Sequence, residues 1–101
     1  MQMYKVEVQM NVPENVEIWS WVNPAKHELL DSQFAPYIVN VTSEPLPNNG
    51  YKFVQWFRDE LQYQEFLALR ATLPLVEERD EYEFEHGITR SIISQGYVEI
   101  E

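Results

Sequence analysis

The stretch Asn48–Glu60, NNGYKFVQWFRDE, carries the signals for a turn, a strand and the start of a helix, in that order. Asn49 and Gly50 are residues that favour a tight turn. The aromatic and β-branched residues after them predict a strand over Tyr51–Arg58. Asp59 is a suitable helix N-cap, so the strand is expected to lead directly into a helix that ends near Pro74.

The residues before this stretch predict two further strands. Strict alternation of apolar and polar residues over Tyr4–Val12 predicts a half-buried strand. The β-branched and aromatic run at Pro36–Thr42 predicts another, antiparallel to Tyr51–Arg58. The segment Glu14–Phe34 fits either a helix or a strand, and we expect an irregular helix that is interrupted at Pro24.

The residues after the stretch predict more β-structure. Period-two alternation over Glu81–His86 predicts a strand, and Ile88–Ile93 with Tyr97–Glu101 predicts a final hairpin. The resulting order predicts an α+β fold: an antiparallel sheet with helices on one face, with a ferredoxin-like βαββαβ core plus an extra C-terminal strand. A length of 101 residues predicts a single compact domain over residues 1–101.

The charge of the chain is strongly negative. It contains 17 acidic and 7 basic residues, a formal net charge of −10. This sign repels phosphate backbones and anionic lipid surfaces, so we expect a larger protein with a basic surface as the partner, and neither nucleic acid nor a membrane. The chain has no cysteine, which excludes disulfides and thiolate ligands and is typical of a cytoplasmic protein.

Sequence motifs of catalysis are missing from the chain. His27 and His86 are its only histidines, and neither lies in a recognised nucleophile or zinc motif. Adjacent side chains on a strand point to opposite sides, so Glu85 and His86 do not form a preformed metal site. We therefore predict no catalytic residue, no metal, no cofactor and no enzymatic activity.

Part of the opening stretch resembles the ribonucleoprotein box of the RNA-recognition motif family. The matching residues are Gly50, Tyr51, Phe53, Val54 and Trp56. Asn49 stands where the family has a basic residue, and Lys52 where it has a small one. The resemblance implies that Tyr51 and Phe53 stack bases on the open face of the sheet.

An acidic run and two tryptophans are the other candidates for a binding surface. Regularly spaced carboxylates can imitate nucleic acid and occupy a basic groove, and an exposed tryptophan can anchor such a contact. Trp19 and Trp21 would share a face if Glu17–Val22 is a strand, but on a helix they would point about 200° apart, so that one of them should be exposed. The predicted partner-binding residues are Glu77, Glu78, Asp80, Glu81, Glu83, Glu85, Trp19 and Trp21.

Three functions follow from these features. The first is a small non-enzymatic acidic protein that docks on a basic protein surface as an inhibitor, adaptor or nucleic-acid mimic, a type often encoded by phages. The second is a structural or assembly subunit, a homo-oligomer that forms through a sheet edge or an aromatic patch. The third is a single-stranded RNA binder of the RNA-recognition type, using Tyr51 and Phe53.

Overall fold

The first strand of the chain is a central strand of the sheet, with a neighbouring strand on each side. Its apolar residues alternate because one face of the sheet is buried. The computed structural model describes residues 1–100, so Glu101, the last residue of the predicted hairpin, lies outside the described residues. All strand pairs are antiparallel, in the order β2-β3-β1-β4. The strands are β1 (Gln2–Asn11), β2 (Asn40–Leu46), β3 (Gly50–Phe57) and β4 (Thr89–Glu99).

Four α-helices accompany the sheet. Short 3₁₀ turns at Ala35–Tyr37 and Pro47–Asn49 flank β2. The order of elements is βαββαβ, which confirms the predicted α+β fold with a ferredoxin-like core. None of the helices within residues 1–100 is long and apolar enough to cross a membrane. The helices are α1 (Trp19–Val22), α2 (Pro24–Phe34), α3 (Glu60–Arg70) and α4 (Pro74–His86).

One face of the sheet packs against the helices and the other is open. On β1, Tyr4, Val6 and Met10 are buried on the helix side. The register pairs Val8 with Phe53, so the odd-numbered residues of β3 also lie on the helix side. Lys5, opposite Trp56, lies on the open face. The predicted alternation of β1 and β3 is therefore confirmed.

The predicted cap at the start of α3 is confirmed. The Asp59 carboxylate accepts a hydrogen bond from the Gln62 backbone N–H at 2.8 Å. The Gln62 side-chain oxygen in turn accepts one from the backbone N–H of Arg58 at 2.7 Å. These two bonds satisfy backbone donors at the junction and fix the angle between β3 and the helix.

The prediction of a strand at Glu81–His86 is wrong, because these residues form the last turns of α4. Pro74 occupies the first turn of this helix, where its missing N–H costs no hydrogen bond. Gly87 ends the helix at a φ of 74°, a left-handed conformation that favours glycine. Pro74 thus begins a second helix, where the sequence indicated only the end of the first.

Other boundaries also differ from those predicted. The predicted final hairpin is one continuous strand, β4, which absorbs an extra residue as an irregularity in its pairing with β1. The second strand begins at Asn40 instead of Pro36, because residues 35–37 form a 3₁₀ turn. The segment Glu14–Phe34 contains two short helices that meet at Asn23, and Pro24 begins the second one.

An ion pair attaches α4 to the sheet. Glu83 is 6% exposed, and its carboxylate accepts three hydrogen bonds from the Arg90 guanidinium of β4, at 2.8 and 3.1 Å from Nε and at 2.7 Å from Nη2. Arg79, one helical turn before Glu83, is also mostly buried. Its burial, with the nearby Arg90 cation as a second cause, lowers the pKa of Arg79 to about 10.

Replacing Glu83 tests this attachment. Glu83→Gln keeps the size of the side chain but leaves Arg90 without its carboxylate and removes the negative charge near Arg79. We expect a loss of about 2 kcal/mol in the free energy of unfolding, less than for a fully buried pair because Arg90 is partly exposed. The measurement is chemical denaturation. Glu81→Gln, on the exposed side of α4, is the matched control and should change stability by less than about 0.5 kcal/mol. Equal effects of the two substitutions would contradict the attachment.

Candidate functional site

Three aromatic side chains from two elements form a row on the helix side of the sheet. Trp21 of α1 contacts Tyr51 edge to face, with ring centroids 6.1 Å apart. Tyr51 stacks with Phe53 at 6.4 Å and an interplanar angle of 20°. The guanidinium of Arg90 lies over the Phe53 ring, 5.6 Å from its centroid. We call Trp21, Tyr51 and Phe53 the aromatic row.

The outer end of the aromatic row lines an open cleft of about 520 Å³. This volume lies in the range of small-molecule sites. The cleft lies at the end of the sheet where β1 ends and β3 begins. Its walls combine apolar and aromatic groups with carboxylates and amides, so it can bind a ring and hydrogen-bond its substituents. The lining residues are Val12, Glu14, Asn15, Val16, Glu17, Ile18, Trp21, Asn49 and Tyr51.

Local backbone geometry shapes the walls of this cleft. Asn15 and Asn49 have φ angles of 65° and 62°, in the left-handed region that asparagine tolerates better than most residues. The Tyr82 hydroxyl of α4 donates a hydrogen bond of 2.6 Å to the backbone carbonyl of Glu17. Helix α4 thus holds one wall of the cleft in place.

A glycine permits the close approach of strands at the cleft. A Cβ atom at Gly50 would lie 3.1 Å from the Met10 carbonyl oxygen, so a side chain there would push β3 away from β1. Gly50 comes directly before Tyr51, which places the first ring of β3 at the cleft. The turn signal at Asn49 and Gly50 therefore marks both the hairpin and the cleft wall.

Trp19 and Trp21 point in different directions, as expected for residues two positions apart on a helix. Trp19 is 2% exposed and packs in the core with Leu30 and Val76, so it is not available to a partner. Trp21 is 60% exposed and lines the cleft. Of these two predicted anchors, only Trp21 can contact a ligand or a partner.

The structure corrects the predicted stacking face. Tyr51 and Phe53 lie on the helix side of the sheet, where both pack against a cluster around Met10. RNA-recognition motifs stack bases on the open face, and here that face carries Lys52, Val54 and Trp56 of β3 instead. Tyr51 and Phe53 are therefore not placed to stack bases as the resemblance implied.

The acidic residues lie on a helix and have different environments. Glu83 is buried against Arg90, and Glu78 binds Lys26 at 2.8 Å. Glu83 is therefore not available to a partner, whereas Glu78 lies in an ion pair at the surface. The exposed members of the group are Glu77, Asp80, Glu81 and Glu85. These four line a separate groove between α3 and α4.

Neither histidine lines the cleft or the groove between α3 and α4. His27 contacts the edge of Trp19 and lies 3.2 Å from the Asp31 carboxylate. His86 stacks on Tyr82, with ring centroids 4.0 Å apart, and its Nδ1 lies 2.7 Å from the Tyr82 carbonyl oxygen. Each ring is held by its own helix.

Sequence reasoning missed three residues of the site. Arg90 looked like an ordinary strand residue, and only its position opposite Met10 brings it over the helix side. Asn49 did carry a signal, since it directly precedes Gly50 and asparagine followed by glycine often marks a turn with left-handed residues. Asn15 stands between Glu14 and Val16 and carried no such signal. These two residues meet at one cleft because β1 pairs with β3, and the sequence pattern does not predict this pairing.

Comparisons with known proteins concern the fold. No family model matches the chain, and no curated protein matches it. The solved structure of SnoaB, a cofactor-independent oxygenase from Streptomyces nogalater, is similar over 97% of this chain and 92% of its own, with a TM-score of 0.59 and 14% identity. Protein YJCS matches over 98% of this chain and 99% of its own, with a TM-score of 0.52 and 6% identity. Protein SO0527 from Shewanella oneidensis matches over 98% and 96%, with a TM-score of 0.51 and 11% identity.

The likeness to SnoaB contradicts the prediction that the chain is not an enzyme. That prediction rested on the lack of catalytic motifs and of cofactor-binding motifs. A cofactor-independent oxygenase with this fold shows that the architecture can support catalysis without a cofactor. At 14% identity the likeness establishes the fold, and the site has to be argued from its own residues.

Proposed function

We propose that this protein is a small enzyme that binds a planar hydroxylated ring compound in the cleft and promotes its oxidation by dioxygen. The observation that carries the proposal is the exposed Trp21, held edge-on by Tyr51 at the mouth of a cleft of about 520 Å³. The fold of a cofactor-independent oxygenase supports the choice of reaction. The lack of cysteine supports a cytoplasmic location.

The aromatic row explains why the substrate should be planar. An exposed tryptophan offers a large rigid surface at low cost in conformational entropy, and rings bind it by offset or edge-to-face contacts. Asn15 and Asn49 lie beside it and can hydrogen-bond hydroxyl or carbonyl substituents. The cleft can therefore orient a flat molecule by its face and by its polar edge.

The carboxylates of the cleft are the groups through which the protein can promote oxidation of the bound ring. Without a cofactor the electrons that reduce dioxygen come from the substrate, and an ionised phenol gives up electrons more readily than a neutral one. Glu14 and Glu17 line the cleft and can accept hydrogen bonds from the substrate's hydroxyl groups, which eases the departure of these protons as electrons leave the ring. Holding the ring against Trp21 leaves its outer face accessible to dioxygen. Dioxygen takes two electrons and two protons from the dihydroxylated ring and becomes hydrogen peroxide, while the ring becomes a quinone.

Oxygen uptake with dihydroxynaphthalene as the probe tests this function. We expect uptake above the uncatalysed rate, and a fall of about tenfold in kcat/KM for Trp21→Ala, the size expected when one aromatic contact is lost. Trp56→Ala, which removes a tryptophan from the open face, is the matched control and should retain the activity. Equal losses in both variants, or no uptake above the uncatalysed rate for hydroxylated naphthalenes and anthracenes, would refute the proposal.

A second candidate function is self-association, favoured by the open face of the sheet. Its charged residues form ion pairs with one another. The Glu7 carboxylate lies 3.2 Å from the Lys5 ammonium and 3.5 Å from the Lys52 ammonium. The hydrogen bond from Lys5 is the main cause that lowers the pKa of Glu7. The open face carries Lys5, Glu7, Glu44 and Lys52. These charges cancel, so the net charge of −10 belongs to the other surfaces.

Half-buried apolar groups make this neutral face suitable for a second copy. Trp56 lies under the Lys5 ammonium, 5.1 Å from its ring, and Val54 lies opposite Glu7 on the neighbouring strand. Two copies that meet through this face avoid the like-charge repulsion that their acidic surfaces would cause. A structural subunit would use this face rather than a sheet edge.

The mass of the protein in solution tests self-association. We expect a dimer that forms with rising concentration in sedimentation experiments and persists in about 1 M NaCl, where exposed charges are screened. Val54→Glu should give a monomer, because burial of an unpaired carboxylate opposes the contact. Phe84→Ser, on another surface, is the control and should leave the dimer intact. A wild-type monomer at every concentration would exclude this function.

A further inference from the structure

The groove between α3 and α4 is separate from the aromatic cleft and has a different chemistry. It encloses about 650 Å³ and has an apolar floor that includes Leu67, Leu73 and Val76. Four carboxylates, those of Glu77, Asp80, Glu81 and Glu85, line it, with Arg70 as the one cation among its lining residues. We call it the acidic groove. An apolar floor beneath a rim of one sign is the pattern of a docking surface.

Phe84 is the apolar side chain at this groove that a partner would remove most completely from water. It is 88% exposed, the highest value among the large exposed hydrophobic residues of the described chain. Its place on α4, three residues after Glu81 and four after Asp80, puts the ring on the same side of the helix as these carboxylates. A partner that covers Phe84 therefore also meets them.

The carboxylates of the groove repel one another. Glu77, Glu81 and Glu85 are spaced four residues apart, and like charges at this spacing destabilise a helix. In residues 1–100 these three make no salt bridge, although Asp80 lies 3.8 Å from the neighbouring Arg79. Cations supplied from outside the chain would relieve this repulsion.

We infer that the acidic groove docks a basic segment of another protein, with a large apolar side chain against Phe84 and lysine or arginine side chains on the rim. The negative rim disfavours phosphate backbones, anionic lipids and a second copy of this acidic chain. The groove shares no lining residue with the cleft. Glu83, buried against Arg90, has no part in it.

Titration with two labelled peptides of equal charge tests the inference. One is an amphipathic helix of lysine and leucine, and the other has serine in place of leucine. Fluorescence anisotropy should show tighter binding of the leucine peptide. Phe84→Ser should weaken that binding about tenfold, in keeping with the loss of one buried aromatic contact. The binding should also weaken as salt is raised.

Charge-matched variants separate a specific groove from general attraction to an acidic protein. Glu77→Gln, Glu81→Gln and Glu85→Gln combined should weaken binding and flatten its salt dependence. The control combines Glu28→Gln, Glu60→Gln and Glu65→Gln, exposed residues that do not line the groove, and should retain most of the affinity. Equal effects of the two triple variants, equal binding of both peptides, or no effect of Phe84→Ser would each overturn the inference. Circular dichroism verifies that every variant is folded.

Discussion

The guanidinium of Arg90 connects the fold to the candidate site. On one side it binds the buried Glu83 carboxylate and so holds α4 on the sheet. On the other it covers Phe53, the inner ring of the row that ends at Trp21. A planar cation can do both, because its edge donates hydrogen bonds while its face contacts a ring. The position of the cleft wall thus depends on an ion pair several side chains away.

Charged groups also lie among the apolar clusters of the interior. The buried apolar residues form three clusters, around Phe57, Met10 and Trp19, and the partly buried Phe34 and Tyr82 each pack against two of them. Arg79 is a mostly buried cation, and its Nε has no hydrogen-bond partner within the described chain. Such groups contribute less to stability than apolar packing would, but they fix which turn of α4 meets β4.

The sequence predicted the elements whose buried faces are apolar and missed the one whose buried face is charged. The alternation in β1 and the cap at Asp59 led to correct elements because packing and local hydrogen bonds agree there. In α4 the inward positions include Val76, Arg79 and Glu83, so no apolar stripe of helical period exists. The alternation of glutamate with aromatic residues near its end imitated a strand. The cleft could not be predicted from the sequence, because its walls come from separate segments that only the strand register brings together.

The indole N–H signals of the three tryptophans provide the most direct test of the central claim that the cleft is the ligand site. Each reports a different place: Trp19 the core, Trp21 the cleft and Trp56 the open face. In a two-dimensional NMR titration with dihydroxynaphthalene, we expect a large shift of the Trp21 signal and little change for Trp56. A shift confined to Trp56, or an unchanged Trp21 signal at saturating ligand, would contradict it.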